Sequence, residues 1–389
     1  MQEINNIGST RTKKTTERVA ALDFARFIAI IMMIQGHSLD ALTSINYLDI
    51  NQFPWTIWHF IRGFTAPVFL IVSGAVQVFA NKRNNFGVLT KELKKKRMRM
   101  AVVLLIIGYM IVFPASRIYD VFFIENNIFV PFFQVGILQL ISLSLLMVLT
   151  VYSFTRTDKS LGIISLIIAI FITIITPFVQ EVKWFDFLPE YVGAYLSFEH
   201  GSIFPLFPFM AFMFYGLALG ALIKSINKEK RNKFLILFGL ISGISLIALG
   251  FLLVEILSIS PYQFLSYEKG NPGIILYRIG FVLLALSIAT VFYLKLKKFT
   301  PFFLIFSKRS LAIYVIHLII LYGTPWFNGL GIVYFKYFTL TQSTFVTILI
   351  ELFSFGVIYM YDISISKFPM FKKIYRYSFT LFLIFALLV

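Results

Sequence analysis

Residues 24–42 read FARFIAIIMMIQGHSLDAL. The stretch is long and apolar enough to cross a bilayer, because about 20 apolar helical residues span the roughly 30 Å hydrocarbon core. Yet it carries Arg26, His37 and Asp40, and ionisable groups inside a membrane are costly and turn toward a bundle interior or a wet cavity. The rest of the chain repeats the apolar pattern. Of its 389 residues 59% are hydrophobic and 46 are Phe, with a mean hydropathy of +0.84, more than one soluble core can hide. The first span is read at 22–42, and others follow at 56–80, 100–119, 133–153, 160–179, 203–224, 234–258, 273–295, 301–323 and 342–361. A short eleventh candidate lies at 376–389. Hydrocarbon cannot solvate open backbone amides, and these runs are long and continuous, so helices are required and a barrel is excluded. The expected fold is all-α, a polytopic membrane helix bundle of about ten or eleven spans.

The 35 Lys and Arg against 18 Asp and Glu give a net charge of +17. Their placement argues against a nucleic-acid surface. With the N-terminus in the cytoplasm, 28 of the 35 fall on the inner side, in the polar tail 1–20 and at 82–99, 156–159, 224–233, 295–309 and 367–376. Only Arg117, Lys183, Lys269 and Lys336 fall in outer loops. That asymmetry follows the positive-inside rule, and KELKKKRMRM at 91–100 suits anionic lipid. The polar N-terminus is followed by a span without a small-residue cleavage site, so the first span is expected to stay. Zero Cys removes thiolate chemistry. No repeat or composition shift divides the chain, so residues 1–389 are read as one domain. The outer segments 120–132 and 180–202 are rich in aromatic and acidic residues and suit ordered caps at the interface.

Arg26 and His37 are eleven residues apart, about three helical turns, so they share a face with about 16 Å between them. Asp23 stands three before Arg26 and Asp40 three after His37, spacings that allow an ion pair and a hydrogen bond to the ring. All four His, His37, His59, His200 and His317, fall on the outer side of this topology. Histidine exchanges protons near neutral pH, which makes an outer proton-transfer site the natural reading. No His pair has helical ligand spacing, so a metal site is not expected. His37 with Asp40 is the first candidate base and His59 the second. Arg62, three after His59, and Arg278, at the outer start of the eighth span, either hold an anionic substrate or snorkel to the interface. Tyr314 and His317 share a face at i, i+3 and are placed to line a pocket. Glu351 stands in mid-span, Pro67 is set to break the second span, and Gly74 suits close helix packing.

Four blocks, ALDFARFIAIIMMIQGHSL (21–39), WHFIRGFTAPVFLIVSGA (58–75), FPLFPFMAFMFYGLALGALI (204–223) and SKRSLAIYVIHLIILYG (307–323), stand in this order. Together they resemble bacterial membrane proteins of the heparan-α-glucosaminide N-acetyltransferase catalytic-domain family. The first block also looks like the related acyltransferase family 3, whose Arg, ten residues, His pattern is matched by Arg26 and His37. The resemblance implies an acyltransferase of the bacterial cytoplasmic membrane. It would take an acyl group, typically acetyl, from cytoplasmic acetyl-CoA to an amino or hydroxyl group of an extracytoplasmic glycan or lipid-linked sugar in the cell envelope. The family's catalytic His belongs to the outer stretch after the first span. Here 43–55 lacks His, leaving His37 and His59 as alternatives. Asp23 and Arg26 would then meet the donor, Arg26 forking onto a CoA phosphate, and a homodimer is compatible with the resemblance. The competing class is a proton-coupled transporter or lipid flippase, for which matching broken helices in two halves are expected.

Overall fold

The computed structural model describes residues 18–266, 270–371, 373–375, 377, 378 and 381. It is helical almost throughout. In order run α1 (Ala20–Leu42), α2 (Trp55–Arg62), α3 (Thr65–Ala80), α4 (Lys91–Ile111) and α5 (Asn126–Phe133). Then come α6 (Ile137–Phe154), α7 (Asp158–Glu181), the single turn α8 (Glu190–Gly193), α9 (Leu206–Ser225) and α10 (Arg231–Ser258). The last third holds α11 (Pro272–Lys295), α12 (Thr300–Lys308), α13 (Ser310–Tyr322), the short α14 (Leu330–Val333) and α15 (Leu340–Lys367). A two-residue hairpin, Gly323–Thr324 with Phe327–Asn328, is the only named sheet among the described residues.

Eight segments are long and apolar enough to cross a membrane, and nine if α12 and α13 count as one bent span. The protein is an integral, multi-pass membrane protein. The count falls below the expected ten or eleven for three reasons. The span expected at 301–323 is broken by a 62° bend at Arg309. The span expected at 100–119 stops at Ile111, before Pro114, and begins in the cationic run, so only its C-terminal half is apolar. Even so, α4 runs the length of α6: Lys94 Nζ donates to Ser153 Oγ at 3.5 Å at one end, Ser142 Oγ donates to the Ala101 carbonyl at 2.7 Å midway, and Gly108 meets the Gln139 side chain at the other. The candidate at 376–389 falls almost wholly outside the described residues.

The second expected span consists of α2 and α3, broken at Gly63–Phe64. Pro67 explains the break. It is the third residue of α3, where its missing N–H is tolerated, and it cannot close a helical bond to Gly63.

The basic segments do gather at one end. There Lys224 pairs with Asp158 at 2.8 Å and donates to the Val78 carbonyl at 3.3 Å, and Arg83 donates to the Thr155 carbonyl at 2.6 Å. Arg309 pairs with Asp362 at 3.3 Å. At the opposite end the connecting segments cap the bundle. Gln134 Nε2 donates to the His200 carbonyl at 2.9 Å, and Ser202 Oγ joins the Val135 N–H and the Ala194 carbonyl. Tyr109 and Tyr195 share a hydrogen bond of 2.8 Å. Burial, then that bond, pushes the Tyr195 phenol well above its ordinary value, so it stays neutral.

α3 and α9 approach most closely. A Cβ on Gly74 would stand 2.1 Å from the Met213 carbonyl oxygen, one on Gly216 2.1 Å from that of Ile71, and one on Gly220 2.4 Å from that of Ala75. Only glycine allows backbones this close, the small-residue packing expected between membrane helices.

Candidate functional site

A cavity of about 720 Å³ opens between α1, α2, α4, α6, α11 and α13, on the capped side of the bundle. His37, Asp40, Arg62, Arg278 and Tyr314 all line it. They come from four segments spread over more than two hundred residues, and the fold brings them to one chamber. Pro131, from the outer segment 120–132 expected to form a cap, closes part of its wall with Gln134 and Ile203, which lie just past the ends of the two such segments.

Gly36 explains how Arg62 reaches this chamber. The Arg62 stem lies across α1 where Gly36 has no side chain, and a Cβ there would come within 2.8 Å of Arg62 Cγ and Cδ. From that position Nη1 donates to the Gly36 carbonyl at 3.2 Å and pairs with Asp40 at 3.2 Å. Trp58 covers the guanidinium at 5.1 Å. Lys336, from the segment before α15, stands 3.7 Å from the other Asp40 oxygen.

Two pairings differ from the sequence expectation. Asp40 serves Arg62 and Lys336, and His37 Nδ1 is buried without a hydrogen-bond partner. Two full charges within 4 Å outcompete a neutral ring for one carboxylate. Asp23 likewise does not pair with Arg26. Its carboxylate takes Arg18 Nη2 at 2.6 Å and the Ser307 hydroxyl at 2.8 Å. Arg26 instead donates weakly to the Val72 carbonyl at 3.4 Å, with Phe69 under its guanidinium at 5.9 Å and its Nε buried without a partner.

A narrow apolar passage of about 50 Å³ adjoins the chamber at His37, lined by Met33, Phe69, Leu138, Phe204 and Leu311 among others. Phe69 thus touches both the passage and Arg26. His37 stands where the narrow passage meets the chamber, since it lines both.

The other candidates lie elsewhere. His59 is on the exposed side of α2 and does not line the chamber. His317 is fully buried behind His37, ring centroids 5.4 Å apart, and does not line the chamber either. His200 belongs to the cap, where its Nδ1 meets Glu190 at 2.8 Å and its ring stacks on Phe185. Glu351 lies on α15 beside Gln35.

Sequence reasoning missed Tyr322, Gln134 and Gln139, all lining the chamber. Gln139 left a signal, a polar residue inside an apolar run, now 3% exposed with Gly108 and Gly136 making room for it. Among the described residues no group of three or more His, Cys, Asp or Glu stands close enough to hold a metal ion.

A chamber with a histidine, two guanidiniums and two tyrosines can take a proton, hold an anion and donate to a developing oxyanion. A family profile described as heparan-alpha-glucosaminide N-acetyltransferase, catalytic, matches residues 18–250. That span includes His37, Asp40 and Arg62 and stops short of Arg278, Tyr314, His317 and Tyr322. No curated protein and no solved structure matches the chain.

Proposed function

The chain belongs to the heparan-alpha-glucosaminide N-acetyltransferase catalytic-domain family, and on that premise we propose that it carries an acetyl group from acetyl-CoA to an amino or hydroxyl group of an acceptor held beside His37. The observation that carries this reading is the position of His37, which lines both the chamber and the narrow passage whose Phe69 also lies under Arg26. The basic end faces the cytoplasm of a bacterial membrane and meets the donor, Arg26 offering its unpaired Nε to a CoA phosphate. The pantetheine arm follows the passage past Phe69 over about 16 Å. In the chamber His37 takes the acceptor's proton as its nitrogen or oxygen attacks the thioester carbonyl. The new C–N or C–O bond forms, the C–S bond breaks, and CoA leaves as a thiolate that regains a proton from the His37 imidazolium. The Tyr314 and Tyr322 hydroxyls supply the donors for the oxyanion, and the narrow apolar passage keeps water from the thioester.

The chamber's cations support a negatively charged acceptor, a cell-envelope sugar carried on a lipid phosphate. Arg62 is neutralised by Asp40, whereas Arg278 has no carboxylate partner among the described residues. An apolar groove of about 240 Å³ between α1, α2, α3 and α11 shares Thr65 with the chamber and opens beside the exposed Ile28, Ile61 and Ile288. It suits the acceptor's hydrocarbon chain. Arg278→Ala is expected to raise the acceptor KM about tenfold or more, the loss of one charged hydrogen bond, with the donor KM unchanged. Gly36→Ala is expected to push the Arg62 stem aside and raise acceptor KM by a similar, roughly tenfold, factor while the protein stays folded. Steady-state kinetics of both variants check these expectations.

The function itself is tested by binding and turnover of radiolabelled acetyl-CoA with detergent-purified protein, comparing wild type with Arg26→Ala, His37→Ala and His59→Ala. Saturable binding weakened by the Arg26 change, and transfer lost with the His37 change alone, are expected. Absence of saturable acetyl-CoA binding would overturn the reading and turn attention to solute transport in proteoliposomes.

A further inference from the structure

His317 is a fully buried histidine with no contact to the chamber, which leaves its chemistry unexplained by substrate binding. Its Nδ1 lies 3.2 Å from the Ile313 carbonyl oxygen. A carbonyl only accepts, so Nδ1 carries the hydrogen and Nε2 is left as a lone pair. That Nε2 is buried without a hydrogen-bond partner, and so is Nδ1 of His37 on the neighbouring ring. Buried polar atoms are rarely left open. Neither bonds to the other as the rings stand, but with ring centroids 5.4 Å apart a small turn joins them once His37 carries its hydrogen on Nδ1.

We propose that His317 is a positioning residue for His37. The Ile313 carbonyl sets the His317 tautomer, His317 Nε2 accepts from His37 Nδ1–H, and the lone pair of His37 Nε2 is thereby presented to the chamber. No other described group takes this role. Asp40 is held by Arg62 and Lys336. The Tyr314 ring packs edge-on against His317, and Tyr322 packs edge-on against His37. The arrangement differs in kind from a histidine backed by a carboxylate. Its orienting partner is neutral, so no second charge is buried when the site is at rest, and the imidazolium formed during transfer is a short-lived and strong acid toward the departing thiolate.

The inference rests on His37 as the base, but the tautomer and the hydrogen bond can be read without any activity. Nitrogen NMR of full-length protein labelled with ¹⁵N-histidine offers only four residues to assign. The expected result is an Nδ1-protonated His37 with a scalar coupling across the bond to Nε2 of His317. His317→Gln places an amide oxygen near the lost nitrogen and should keep the His37 tautomer and retain kcat within about tenfold. His317→Leu, apolar and of similar size, should lose the tautomer and lower kcat about a hundredfold with both KM values nearly unchanged. An Nε2-protonated His37 in the wild type, or equal kcat in the two variants, would overturn the proposal. If His317→Leu does not fold, the wild-type coupling and the Gln variant decide it. Coupling in a protein that transfers no acetyl group would leave the hydrogen bond standing and remove the acetyltransferase reading.

Discussion

Replacing His37 by glutamine is expected to lower kcat for acetyl transfer by about a thousandfold, within the range general-base catalysis contributes. On the proposed mechanism, in which His37 meets the reacting atoms and Arg26 holds the donor, binding of acetyl-CoA should be unchanged. Glutamine keeps a polar side chain of similar reach, so the chamber should stay intact. His59→Gln is the matched control. Its side chain lies outside the chamber, and its kcat should stay within about twofold of wild type. A His37 variant that keeps a tenth of the wild-type rate would place the base elsewhere.

The largest effect on stability is expected at the α3–α9 seam. A leucine at Gly216 must put its Cβ where the Ile71 carbonyl stands, 2.1 Å away, and the rest of the side chain beyond it. Backbone cannot turn aside as a flexible side chain can, so the two helices must separate along several turns. The cost is expected to be about 3 kcal/mol or more, read as loss of monodisperse protein in size-exclusion chromatography and a lowered thermal midpoint. Gly356→Leu provides the comparison, since a Cβ there meets nothing within 4 Å. If both variants behave alike, the seam is not what holds α3 to α9.

The membrane class and the helical fold were legible because bilayer thickness constrains length and polarity in every span at once. Eight of the expected spans coincide with helices that qualify. Where the reading overran, at 100–119 and 301–323, a helix stop before Pro114 and a bend at Arg309 interrupt runs that composition alone joins. In the site, the rarity of ionisable residues within apolar spans drew attention to His37, Asp40, Arg62 and Arg278, and helical spacing from His317 to Tyr314, and the fold gathers these five into one chamber. Their partners were not legible. Spacing along α1 allowed Asp23 with Arg26 and Asp40 with His37, but Arg18, Ser307, Arg62 and Lys336 take those carboxylates. Three of these four competitors lie far along the chain, and helical periodicity carries no information about them. The burial of His317 was illegible for the same reason, since only the packing of α13 behind α1 tells a second wall from a lining residue.

The glycine seam also decides which wall of the bundle can act as a door. α3 and α9 lock through backbone, carbonyl against α-carbon, and such surfaces neither slide nor part without losing every contact together. On the other flank α1 meets α12 and α15 through the rings of Phe24, Phe27, Phe303, Phe306 and Phe355, and rings can pivot while staying in touch. The passage beside His37 has Phe69 on the locked side and Leu311 and Tyr314 on the other. The passage thus has one wall fixed backbone to backbone and another, carried by α13, that starts just past the 62° elbow at Arg309.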